Sequence, residues 1–200
     1  MTDTMGAAEW DARYREKAGA AWSREPNAWI AETVGAFVPG HAIDLGAGEG
    51  RNALWLSSIG WTVTAVDFSA EGLAVGRRRA EEDALVVEWV QAEVSEWQPQ
   101  RPADLVLLSY LQLEAEVLET LLGRAAGWLE SGGRLVVIAH DRENLERGVG
   151  GPQTPEVLAT EESLRRGAAD LIVEHAGQHL RTVAGADRPA IDTVLVARRL

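Results

Sequence analysis

Residues 42–56 read AIDLGAGEGRNALWL. A short apolar run contains Asp44 and ends at Leu45, glycines follow at 46, 48 and 50, and a helical pattern begins at Arg51. A glycine-rich turn between a strand and a helix lets backbone N–H groups approach a ligand closely. The first question is which nucleotide this turn takes. A triphosphate loop needs G-x-x-x-x-G-K-[ST], and no Lys-Ser or Lys-Thr follows these glycines. A dinucleotide loop needs G-x-G-x-x-G. Gly46 and Gly48 fit that pattern, but its third position is Arg51, whose long side chain obstructs helix–strand packing and crowds a pyrophosphate. A second clue lies downstream, where WTVTAVD (61–67) reads as a strand ending in Asp67, 19 residues after Gly48. A carboxylate there can accept both hydroxyls of a ribose. Loop and acid together read as a nucleoside site.

On either side of this pair the chain alternates between helical and strand patterns. Residues 6–18 read as a helix with Trp10 and Tyr14 on one face. GAAWSREP (19–26) breaks it, and Pro26 and Asn27 start a second helix running to about Phe37. The strand at 41–45 and a helix at 51–58 flank the glycine loop. Ser69 caps a helix over 70–83, and VVEWVQAEV (86–94) is a third strand. Pro99 and Pro102 mark a loop before ADLVLLSYL (103–111), an apolar fourth strand. A helix over 114–129, a turn at SGG (131–133) and a fifth strand, RLVVIAH (134–140), follow. Residues 141–159 read as a loop with at most one helical turn. TEESLRRGA (160–168) is a short helix in which Thr160 and Ser163 make too weak a pair for a capping box. Two last strands, about 171–183 and 190–198, can pair antiparallel. Apolar strands alternating with helices imply a parallel sheet covered on both faces, with ligands beyond the carboxyl ends of its strands.

Composition narrows the function. A chain of 200 residues suits one domain and buries a substantial core. Its formal net charge of −12 repels a phosphate backbone, so nucleic acid is not the expected partner. The densest basic cluster, Arg77-Arg78-Arg79, precedes Glu81, Glu82 and Asp83 and reads as a solvated helix face. With no cysteine, disulfides and thiolate zinc sites are excluded. No apolar run is long enough to span a bilayer, and the polar N-terminus lacks a secretory pattern, so a cytoplasmic protein with no membrane partner is the simplest reading. His175 and His179 are four apart, a chelating distance on a helix but ~13 Å on a strand. Both read as structural or surface residues, and no metal is expected.

DLGAGEGRN followed by VTAVDFS resembles a class I S-adenosylmethionine-dependent methyltransferase. WDARY (10–14), the W-S-x-x-P-N pattern at 22–27, PADLVLLSYLQL (102–113), LESGGRLVVIAHD (129–141) and AIDTVLVARR (190–199) extend the resemblance over nearly the whole chain. They are similar to small bacterial tellurite-resistance and thiopurine-type methyltransferases. The resemblance implies an α/β, Rossmann-like sheet of seven strands in the order 3-2-1-4-5-7-6, strand seven antiparallel, with helices on both faces. It implies one methyltransferase domain over 1–200, with residues 1–38 as a helical cover. S-adenosylmethionine is the implied cofactor and S-adenosylhomocysteine its product. Gly46, Gly48 and Gly50 match the loop under the cofactor's amino-acid part. Asp44 would fix that loop or meet the cofactor amine, and Asn52 would bond loop or cofactor groups. Asp67 matches the ribose acid, and Phe68 would pack on adenine. Glu93 stands where an aspartate commonly reaches the adenine amine, and backbone groups at Glu93 and Val94 would bind the ring. Trp10, Tyr14 and Trp22 match the segment that covers the cofactor, although aromatic residues at helical spacing also serve as helix packing.

Ser109 and Tyr110 end the fourth strand, beside the expected position of the methyl group. Ser109 joins the cofactor set. Tyr110 and His140 are the catalytic candidates, because His140 ends the fifth strand, next to Asp141, at the ligand edge of the sheet. His41 begins the first strand, at the wrong edge. Methyl transfer needs alignment and exclusion of water, and a base only when the nucleophile arrives protonated. A cover made of the N-terminal helix and the 148–155 loop would exclude water. The expected acceptor is a small molecule, methylated at a thiol or another heteroatom, and the protein a monomer or homodimer. Two rivals remain: a non-catalytic S-adenosylmethionine-binding module and a nicotinamide-dependent oxidoreductase, the latter opposed by Arg51.

Overall fold

The protein is described here by a computed structural model covering residues 5–17, 21 and 23–200. Trp22, expected over the cofactor, lies outside the described residues. Seven strands form one sheet in the order β3-β2-β1-β4-β5-β7-β6. The chain divides into two compact units, residues 5–107 and 108–200.

The first unit contains α1 (Ala7–Lys17), α2 (Ala28–Val34), β1 (His41–Leu45), α3 (Arg51–Ser58), β2 (Thr62–Asp67), α4 (Ala70–Glu82), β3 (Val87–Gln91) and most of β4 (Ala103–Ser109). β1 pairs parallel with β2, and β2 with β3. All five residues of β1 are buried, which explains why it is apolar apart from His41 and Asp44. Caps fix the helix starts. The Asn27 side chain accepts the Ile30 N–H at the head of α2, and the Ser69 hydroxyl accepts the Gly72 N–H at the head of α4. Both ring nitrogens of His41 are used, one at 2.9 Å from the Pro102 carbonyl and the other at 3.1 Å from the Thr64 hydroxyl.

The second unit contains α5 (Ala115–Trp128), β5 (Leu129–His140), α6 (Asn144–Arg147), a 3₁₀ turn (Pro155–Val157), α7 (Glu161–Gly167), β6 (Ile172–Arg181) and β7 (Ala190–Arg198). β7 runs antiparallel to both β5 and β6. Its residues are buried from Ala190 to Ala197 and share a core with Leu135–Ala139. Two local expectations fail here. SGG (131–133) is not a turn before a strand but part of β5. The Gly132 N–H donates to the Arg199 carbonyl and the Arg199 N–H to the Gly133 carbonyl, both at 2.9 Å, so the end of the chain draws these glycines into the ladder. The weak pair at α7 does form a capping box: Thr160 Oγ1 accepts the Ser163 N–H at 3.1 Å and Ser163 Oγ the Thr160 N–H at 3.0 Å. The shorter serine reaches back as a glutamate would. Among the described residues no helix is long and apolar enough to cross a membrane.

Candidate active site

In the first unit the glycine loop leaves the end of β1 and is tied to β2. The Gly46 and Ala47 N–H groups both donate to the Val66 carbonyl, at 2.8 and 3.1 Å. Asp67 then joins the loop to α4, one oxygen accepting the Gly48 N–H and the other the Ser69 N–H, each at 2.8 Å. Burial pushes the Asp67 pKa above the ordinary carboxylate value, and the two N–H groups oppose that push. Each oxygen keeps a lone pair for a hydroxyl. The residue singled out for a ribose therefore also shapes the loop that would lie under it.

Asp44 has a different environment. It is 1% exposed, and neither oxygen has a hydrogen-bond partner of proper geometry among the described residues. Burial pushes its pKa to about 7, with Arg51 opposing, Asp67 adding to the rise, and the Ala53 N–H, near but not well aligned, opposing weakly. A lone buried carboxylate is expensive unless a cation meets it. An ammonium group on a ligand held by this loop would supply that cation. The residues present therefore fit a nucleoside bearing an amino acid, as S-adenosylmethionine does.

The glycines have separate reasons. Gly48 has φ +56°, and a Cβ there would lie 2.6 Å from the Tyr14 hydroxyl oxygen. Gly50 has φ +76°, and a Cβ there would lie 2.4 Å from the Trp89 ring, as would one at Gly76. The side-chain space at Gly50 thus belongs to a tryptophan of β3. Between these glycines, Glu49 is 1% exposed and pairs with Arg79 at 3.1 Å. Arg77 and Arg78 are exposed as expected, but Arg79 points inward, which corrects the reading of all three as a solvated face. The i,i+3 spacing of Arg79 from Gly76 puts it on the buried stripe of α4.

The N-terminal helix lies against this loop. Tyr14 is buried, with Trp10 stacked on it at 5.7 Å between centroids. Asp11 accepts the Ser69 hydroxyl and the Glu71 N–H. Asn52 is buried and accepts the Asn27 N–H at 3.0 Å, so its side-chain oxygen anchors α2. Phe68 is half-buried, and its carbonyl accepts from Gln91. The Glu93 side chain is exposed, while Val94 beside it is buried.

In the second unit, Tyr110 and His140 meet. Their ring centroids are 4.6 Å apart. His140 Nδ1 lies 3.2 Å from Asp192 Oδ1, and the Tyr110 hydroxyl donates to Asp192 Oδ2 at 2.7 Å. Arg181 Nε donates to the same oxygen at 2.9 Å and to the Tyr110 oxygen at 3.1 Å. Burial acts to raise the Asp192 pKa, but the bonds from His140, Arg181 and Tyr110 outweigh it and hold the carboxyl below its ordinary value. Burial, then Asp192, pushes the Tyr110 phenol upward, so it stays protonated. Tyr110 has φ +55°, a left-handed conformation costing about 1–2 kcal/mol outside glycine. Its N–H bond to the Ile138 carbonyl (2.8 Å) and its hydroxyl bond hold it there. The Ser109 hydroxyl beside it is buried with no hydrogen-bond partner among the described residues. His175 and His179 sit on β6, opposite Val196 and Asp192 of β7.

Sequence reading missed Asp192, Arg181, Glu49 and Trp89. Asp192 did leave a signal: it is the single charge inside AIDTVLVA, a run apolar enough to be a fully buried strand. An acid in such a run needs partners.

The family described as "Methyltransferase domain" matches residues 42–133, from the glycine loop into β5. A protein of Geobacillus sp. strain WCH70, named as a methyltransferase, is 30% identical over 109 residues, covering 52% of this chain and 44% of the relative. The chain thus spans less than half the length of that relative. TehB from Haemophilus influenzae superposes with a TM-score of 0.73 at 17% identity, over 97% of this chain and 67% of that one. A protein described under conversion of a disulfide bond into a thioacetal group during echinomycin biosynthesis gives 0.75 at 20% identity, over 96% and 91%. At these identities the likeness is one of fold. Further methyltransferases sharing it were solved with S-adenosylmethionine or S-adenosylhomocysteine bound.

Proposed function

We propose that this chain, a class I S-adenosylmethionine-dependent methyltransferase by fold and by the family that matches residues 42–133, methylates a small molecule at a thiol or another heteroatom. The observation that carries the reading is Asp44. A fully buried carboxylate with no hydrogen bond of proper geometry among the described residues, its burial outweighing the Ala53 N–H and Arg51, at the start of a loop held by Asp67, is suited to the ammonium group of an amino-acid-bearing nucleoside.

Asp44 would hold the amine, Asp67 the ribose hydroxyls, and Gly46 and Gly48 the close backbone approach. Phe68 and Val94 would flank the adenine. Ser109 offers a buried hydroxyl to the ligand. The N-terminal helix, anchored through Asp11 and Tyr14, would act as the cover on this side. When bound, S-adenosylmethionine supplies an electrophilic methyl group on a sulfonium. The chain's own task is then to orient the acceptor, exclude water and, for a protonated acceptor, take its proton. His140, with Tyr110 against its ring, is the base. The net charge of −12 supports a small acceptor over a nucleic acid.

Calorimetry with S-adenosylhomocysteine, followed by labelled methyl transfer to a panel of small thiols and heterocycles, tests this reading. Binding and transfer support it. Binding without transfer to any acceptor favours a cofactor-binding module. Tight NAD binding with no S-adenosylhomocysteine binding would restore the oxidoreductase.

A further inference from the structure

The Tyr110–His140–Asp192–Arg181 cluster carries more than a base. Asp192 stands in register with His140 across β5 and β7, and with His179 across β6 and β7. It is 0% exposed, and three side chains from three segments converge on its two oxygens. Two of them, Tyr110 and Arg181, can only donate to it, the phenol because it stays protonated. A carboxylate so supplied is an acceptor only. The His140 nitrogen facing it must therefore carry the proton: Nδ1 is N–H, and in the neutral ring Nε2 is the lone-pair nitrogen. The ring also has close neighbours in two segments. Tyr110 lies against it, and on the loop side a Cβ at Gly151 would come within 3.1 Å of the His140 Cγ and Nδ1. A ring that binds by chance is rarely fixed in tautomer, tilt and depth together.

We infer that Asp192 is a positioning residue that fixes His140 with Nε2 as proton acceptor, and that the site serves an acceptor arriving protonated, such as an alkyl thiol or a hydroxyl. This rests on the methyl-transfer reading above. Transfer to a neutral S–H or O–H group releases one proton for each methyl moved, and Nε2 receives it. The imidazolium that results faces the Asp192 carboxylate, which offsets its charge. Arg181 and His179 from β6, and Asp141 next to His140 on the chain, are the other charged or titratable groups around the pair. Arg181 shares the same carboxylate oxygen as the Tyr110 hydroxyl. Tyr110 is fixed by the same carboxylate and so presses its ring on the imidazole in one orientation.

Two measurements on the full chain test this. The first is ¹⁵N NMR of the His140 imidazole in the wild-type protein with S-adenosylhomocysteine. The expected result is a neutral ring protonated on Nδ1; a ring protonated on Nε2 overturns the assignment without any variant having to fold. The second compares Asp192→Asn with wild type on two probes, 2-mercaptoethanol, which is mostly protonated at neutral pH, and 4-nitrothiophenol, which is already ionised. Loss of about 10²-fold in kcat/KM on the first with little change on the second is expected for a lost base. The falling limb of the wild-type rate on the acid side should disappear for the ionised probe. Equal loss on both probes would mean that Asp192 is only structural. Absence of transfer to either probe, with S-adenosylhomocysteine still bound, counts against the thiol reading of the acceptor and leaves the tautomer of His140 to decide the role of Asp192.

Discussion

Asp44 and Asp192 are both acids inside buried strands, and they are treated in opposite ways. Asp192 has three donors and stays ionised below the ordinary carboxylate range. Asp44 has no side-chain donor, only the Ala53 N–H and the Arg51 charge acting weakly against its burial, and is pushed to about 7. One carboxylate is completed by side chains of the protein, and the other is the one proposed above to meet a ligand ammonium group. The difference teaches that burial alone does not mark a ligand site. Burial with unfilled hydrogen-bonding capacity does.

Glu49 gives the sharpest contrast, because it lies inside the glycine loop yet is fully paired with Arg79. Glu49→Ala removes the carboxylate that faces the buried Arg79 guanidinium, and a loss of up to about 3–5 kcal/mol in urea unfolding is expected. A loss below about 1 kcal/mol would mean that water reaches Arg79, and the division between completed and incomplete acids would weaken. Gly48→Ala adds a left-handed alanine and a methyl group 2.6 Å from the Tyr14 hydroxyl oxygen. The backbone term alone is about 1–2 kcal/mol, so S-adenosylhomocysteine affinity should fall at least about tenfold. Unchanged affinity by calorimetry would show that the loop does not hold the ligand.

The two acids also separate in pH. Ionised Asp44 is costly in the ligand-free fold and not in the unfolded chain, so its folded pKa is the higher one. Free protein should therefore gain stability as pH falls from about 7 toward 4, by roughly 1.4 kcal/mol per unit from this group. Asp192 has the lower folded pKa. Its stabilising bonds are present above the ordinary carboxylate value and are lost as pH falls below that value. A ligand ammonium group is best met by an ionised Asp44, so S-adenosylhomocysteine should bind more weakly at pH 6 than at pH 8. Asp44→Asn should flatten both the stability slope and the binding slope. Thermal melts and calorimetry across this range would contradict the assignment if the variant kept either slope. The smallest effect belongs to the second unit, where Thr160→Ala removes the capping box of α7. About 1 kcal/mol should be lost there, with S-adenosylhomocysteine affinity unchanged.

Much of this architecture was readable in advance, for local reasons. The glycines at 46, 48 and 50, and Asp67 at the end of a strand, announce a tight turn beside a strand-end acid because their spacing is set by backbone geometry, and the structure joins them through the Asp67–Gly48 bond. Strand and helix order followed from apolar runs and caps, down to the antiparallel final pair. What escaped reading depends on distant partners. SGG joined β5 because Arg199, at the far end of the chain, pairs with it. Trp89 claims the side-chain space of both Gly50 and Gly76, a reason invisible in a motif that spells only glycines. Arg79 turns inward because Glu49, thirty positions earlier, is buried opposite it. The Tyr110–His140–Asp192–Arg181 cluster draws on four segments between positions 110 and 192, and no window of sequence contains it.

The division of the chain near Leu107 has a practical meaning for redesign. Every residue assigned to the nucleoside, except Ser109, is encoded before that point, and every member of the proton-handling cluster after it. A library built by replacing only the part of the gene after Ser109 could therefore explore new acceptors while keeping every residue proposed to hold the nucleoside, and S-adenosylhomocysteine affinity would serve as the check that they still hold it.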